Sequence, residues 1–177
     1  MAMELLAGPY LAKESGGFYA QADAQRALVN HLEGMMTFWP YMAVVDGFQH
    51  WVYENPDAAI HPANCDAAWG DLWDRFMVGI DYAGLETEKV TGWQRKTHIH
   101  TSPFYYVEYG MAQLGAVQVW RKAQINQAEA VAAYRQALSL GGTATLPDLY
   151  QAAGAAFAFD ETLLRDVVAF MEDKVSG

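Results

Sequence analysis

The chain has 177 residues, 53% hydrophobic and 14% aromatic, which is enough for one core of ordinary size and too apolar for a disordered chain. Its 11 basic against 21 acidic residues leave a formal charge of −10, which argues against nucleic acid or an anionic membrane as partner. Cys65 is the single cysteine, so an intrachain disulfide is excluded, as suits a reducing cytoplasm.

Met1, Leu5 and Leu6 have helical spacing, and Gly8-Pro9 is a natural stop. No Ser, Thr, Asp or Asn caps this run, and so short a helix has little stability alone, so it reads as a helix that was cut. Residues 13–19, with Gly16-Gly17, read as a loop.

From about Ala22 the spacing of Leu28, Leu32, Met35, Trp39, Met42, Val45 and Val52 predicts a long helix to Glu54, with a kink at Pro40. Its second half carries Asp46, Gln49, His50 and Tyr53. The longest apolar stretch, Met35 to Val45, is far short of the roughly 18 residues a membrane span needs. A shorter helix follows from about Ala63 to Met77, with Trp69, Leu72, Trp73 and Phe76 facing inward. Residues 79–96 read as a long connection.

Ser102 and Pro103 read as the N-cap and first position of a helix to about Gln124. Tyr105, Tyr106 and Tyr109 then fall within an arc of about 100° on one face, beside Ala112, Gln113 and Ala116. His98 and His100 precede them. Phenols beside imidazoles make a donor-rich surface able to stabilise a developing oxyanion, although tyrosines at this spacing also serve as packing residues. Further helices are predicted over about Ala128 to Leu140, from Thr145-Pro147, and from Asp160 to near Lys174. No strand alternation, repeat or phosphate-binding glycine loop is visible, and the expected fold is all-α.

The block HIHTSPFYYVEYGMAQLGAVQVW, with DGFQHWVYENP and AAYRQALSLGGTATLPDLYQAAGAAFAFD, resembles the oligoendopeptidase F branch of the thimet-oligopeptidase family of zinc metallopeptidases. The resemblance implies the helical C-terminal portion of a zincin-like catalytic domain, residues 1–177 forming one segment of it. It implies catalytic roles for His98, Tyr106 and Tyr109, with Tyr105 beside them, in stabilising the tetrahedral intermediate. Asp46, Gln49, Tyr53 and His100 are expected on the substrate side of the cleft.

The family binds zinc through HExxH and a later glutamate, and none of the five histidines here begins HExxH. The expectation is therefore a zinc-dependent cytoplasmic parent acting on short peptides. This chain alone is expected to hold no metal and to be inactive without the missing N-terminal part, with self-association through its uncovered apolar surface. A non-enzymatic helical module that binds a peptide or partner helix is the alternative. Zinc hydrolysis through His98-x-His100 alone is disfavoured, because no third ligand is apparent.

Overall fold

The computed structural model describes residues 1–176. They form ten α-helices joined by turns, loops and short 3-10 helices, with no strand among them beyond an isolated bridge between Ala12 and Tyr19. The chain divides into two compact units, Met36–Gly110 and the pair Met1–Met35 with Met111–Gly177.

The helices are α1 (Ala2–Ala7), α2 (Gln21–Glu54), α3 (Pro56–Ala59), α4 (Pro62–Phe76), α5 (Glu86–Val90), α6 (Thr97–Thr101), α7 (Val107–Ala123), α8 (Gln127–Leu140), α9 (Leu146–Ala152) and α10 (Glu161–Ser176). The long helix α2 runs unbroken through Pro40. The predicted connection at 79–96 is instead partly helical. It contains α5 and a 3-10 turn at Gly92–Arg95, tied down where Lys89 reaches Asp74 of α4 at 2.8 Å. No hydrophobic period marks a helix this short, which is why the sequence reads as a loop there.

In the unit 36–110 the core is aromatic. Val44, Val45 and Phe48 of α2 pack with Cys65, Trp69 and Trp73 of α4, and Tyr106 joins them from the segment before α7. Trp69 is fully buried, with the Phe48 ring edge-on at 5.4 Å. Removing such a side chain typically costs about 3–5 kcal/mol.

In the other unit Leu6, Val119, Ala137 and Ala153 form a core of smaller side chains. The helices there are capped as their sequences suggest. Asn126 accepts from the Glu129 N–H at 3.2 Å, Thr145 from Asp148 and Asp160 from Leu163. Gln118 pins the segment after α9, accepting from the Ala156 N–H at 2.8 Å and donating to its carbonyl at 3.1 Å.

Candidate functional site

The tyrosine segment is built by a turn. Ser102 ends α6, its N–H bonded to the His98 carbonyl, and has non-helical φ −146° and ψ 65°. The Tyr105 N–H then closes on the Ser102 carbonyl at 3.2 Å, with Pro103 and Phe104 between them. Phe104 has φ 61°. Proline second and a positive φ third is the pattern of a type II turn, where glycine is the usual third residue.

The expected helix start at Ser102-Pro103 is therefore corrected: α7 begins at Val107. Ser102 and Pro103 are turn formers as well as helix starters, and Phe104 in the left-handed region cannot belong to a helix. Tyr105 and Tyr106 lie before the helix, and Tyr109 is in its first turn. The arc expected from helical spacing does not apply to them.

The four side chains converge nevertheless. The His98 ring stacks on Tyr105 at 6.3 Å and meets Tyr106 and Tyr109 edge-on at 5.3 and 6.0 Å. Tyr109 in turn meets Tyr105 at 5.6 Å and Tyr106 at 5.5 Å. Exposure is graded across the group: Tyr105 is 45% exposed, His98 and Tyr109 are half-buried, and Tyr106 is 6% exposed. Behind Tyr106 lie Phe38 and Tyr41 of α2 at 5.7 and 6.0 Å.

Lys96 is the cation of this cluster. Its ammonium lies 4.9 Å from the ring centres of both Tyr41 and Tyr106 and 3.4 Å from the Tyr106 oxygen. Burial holds the Tyr106 phenol above its ordinary value, against the downward pull of Lys96. For Lys96, burial works downward, but the Tyr41 and Tyr106 hydroxyls outweigh it and the ammonium is held above its ordinary value. Both groups are therefore protonated at neutral pH.

The residues expected to meet substrate fall differently. Asp46 lies 3.5 Å from His50 one turn later in α2. His50 and Tyr53 place their rings 5.0 and 4.9 Å from Phe104. Gln49 is 1% exposed, and its carbonyl oxygen accepts from the Phe104 N–H at 2.7 Å. Gln49, His50 and Tyr53 thus gather around the turn that carries the tyrosines. His100 is exposed on the single turn of α6, beside Trp93 at 6.0 Å and away from the rings that His98 meets.

Ala112 and Ala116 line an apolar groove of about 460 Å³ in the unit 1–35 and 111–177, and its lining has no histidine, carboxylate or cysteine side chain. Lys96 and Tyr41 were not singled out by sequence reasoning. Tyr41 is 65 positions from Tyr106, so no local period links them.

No group of three or more His, Cys, Asp and Glu able to hold a metal ion occurs among the described residues. The cluster offers phenols, an ammonium and one imidazole, which is not a zinc-ligand set. A zinc ion has no seat on them.

Residues 1–168 match the model of peptidase family M3. The chain belongs to peptidase family M3. As a member of that family it is also similar to a crystal structure of a Bacillus anthracis str. Ames protein assigned as oligoendopeptidase F. The TM-score is 0.74 at 28% identity, over 99% of this chain. The chain spans 27% of the length of that relative. Among curated proteins, none matches. The all-α fold expected from the sequence agrees with this structural match, and no helix among the described residues is long and apolar enough to cross a membrane.

Proposed function

We propose that this M3 chain forms the C-terminal catalytic-domain portion of a zinc-dependent oligoendopeptidase that hydrolyses short peptides in the cytoplasm. The observation that carries this reading is the ring-to-ring convergence of His98, Tyr105, Tyr106 and Tyr109. When a scissile carbonyl becomes tetrahedral its oxygen gains negative charge, and preorganised neutral donors stabilise that charge more than they stabilise the substrate. Tyr105, the most exposed of the group, is a donor at the cluster's outer side. Tyr106 is its buried member, and His98 holds the rings in register. The zinc and the general base belong to an HExxH-bearing portion that this sequence does not contain. The 27% span on the solved relative supports that division.

The test is to join the chain to an HExxH-bearing portion from an oligoendopeptidase F and to assay a quenched fluorescent peptide. Hydrolysis is expected only in the joined protein. In it, Tyr106→Phe or Tyr109→Phe is expected to lower kcat by about 10²–10³ with KM little changed, the mark of a donor used in the transition state. If kcat is intact while stability falls, the tyrosines are packing residues and the reading is lost.

A further inference from the structure

Tyr106 is buried, yet the contact its hydroxyl makes does not use its proton. A lysine ammonium carries three donors and no acceptor, so in the 3.4 Å contact with Lys96 the phenol oxygen must accept. Among the described residues this hydroxyl makes no hydrogen bond to an acceptor. A buried tyrosine ordinarily gives its proton to a carbonyl or carboxylate, as Tyr150 does to the Met111 carbonyl at 2.8 Å.

Five of the eleven basic side chains have a carboxylate partner among the described residues, and Lys96 is not one of them. Lys89, Lys174, Arg26, Arg121 and Arg165 each pair with a carboxylate. No carboxylate lies within ion-pair distance of Lys96 among the described residues, and its neighbours are the rings of Tyr41 and Tyr106.

We propose that Lys96 is the positioning residue for Tyr106: by donating to the phenol oxygen it leaves the hydroxyl proton for an oxygen acceptor on a bound ligand, of the peptide-carbonyl class. The ammonium also withdraws electron density from that oxygen, which makes the remaining O–H a stronger donor. The two rings on which Lys96 rests fix where it can reach. In a purely packing role, the lysine stem would cover the rings and the direction of the Tyr106 hydroxyl would not depend on the charge.

The proposal rests on reading Tyr106 as a donor to substrate, and the two are tested apart. In the full 177-residue chain, the Raman Fermi doublet of tyrosine reports whether a phenol oxygen accepts or donates. Subtracting the Tyr106→Phe spectrum isolates Tyr106. The expected result is an acceptor-type doublet that is lost in Lys96→Met and kept in Lys96→Arg. Should Lys96→Met not fold, Lys96→Gln removes the charge with a shorter, polar side chain, and is expected to weaken the acceptor signature. A donor-type doublet in the unaltered chain, or one unchanged by removing the lysine charge, overturns the proposal. If the doublet behaves as expected but Tyr106→Phe leaves kcat intact in the joined enzyme, the Lys96 contact stands and the donor role of Tyr106 falls.

Discussion

Phe104 is the one residue other than glycine with positive φ among those described, and it sits immediately before Tyr105. A bulky side chain in that conformation typically costs about 1–3 kcal/mol and persists where its surroundings fix it. Here the fixing group is Gln49, whose buried carbonyl oxygen takes the Phe104 N–H. Gln49→Leu keeps the volume and removes the acceptor, leaving a backbone N–H without its partner beside a strained turn. The expected loss is about 1–3 kcal/mol in urea unfolding, with a weaker His98–Tyr105 ring contact seen by NMR. A change below about 0.5 kcal/mol would mean that the rings of His50 and Tyr53 hold the turn without it.

At this scale the sequence shows which residue types gather and not how. His98, Tyr105, Tyr106 and Tyr109 are legible because they are close in the chain and chemically alike. The positive φ of Phe104 is not, since nothing in Ser-Pro-Phe-Tyr names a residue other than glycine for that place. Lys96 reads as one more surface cation until Tyr41 is brought over it.

At the scale of elements, period and capping residues carry most of the fold. α2, α4, α8 and α10 lie within about two residues of where spacing and caps put them, the usual looseness of helix ends. α7 starts later than expected because proline serves turns and helix starts alike. Within α7, Gly115 marks a close approach that no period announces. A Cβ there would lie 2.7 Å from the Tyr150 ring, whose hydroxyl is tied to the Met111 carbonyl. The ring cannot easily withdraw, so Gly115→Ala is expected to destabilise by about 1–3 kcal/mol in thermal or urea unfolding. Combining it with Tyr150→Leu should recover part of that loss, because the obstructing ring is gone. If Gly115→Ala is neutral, α9 has room that the distances deny.

The capping pair at the start of α8 is a milder case. Asn126 accepts from the Glu129 N–H, and its amide reaches the Glu129 carboxylate at 3.3 Å. Asn126→Ala should cost about 1 kcal/mol in unfolding free energy, while Asn126→Asp should cost much less.

At the scale of the whole molecule, both boundaries between the two units fall inside continuous helices, 35/36 within α2 and 110/111 within α7. Gly34 lies beside one boundary and Gly110 at the other, but the helix runs on through both and no polar linker marks either place, so the division could not be read from composition. The units nevertheless share one response to pH. Burial, then the charge of Asp66, holds the Cys65 thiol above its ordinary value, and burial does the same for Tyr150. Lys96 and Tyr106 are raised as described.

A raised value means that the folded protein keeps its proton to higher pH than the unfolded chain does. The unfolded chain therefore binds fewer protons in alkali, and stability falls as pH rises. The contribution is fully present below the ordinary values of 9.0 for the thiol, 10.0 for the phenols and 10.5 for the lysine. It is lost as pH climbs from there through the folded values. On the acid side Glu4, held down by the N-terminal ammonium, and Glu86, held down by the Gly84 N–H, act in the opposite sense. Their contribution is lost below about 4.5, and it is small because both are exposed.

The urea midpoint is thus expected to be nearly flat between about pH 5 and 8 and to fall steadily above 9. Tyr150→Phe supplies the control. It lowers the neutral plateau by removing the bond to the Met111 carbonyl, but it also removes one group that resists ionisation. Its alkaline limb should be shallower than that of the unaltered chain. An equal slope would show that Tyr150 ionises as readily folded as unfolded, and that burial of its ring does not extend to its oxygen.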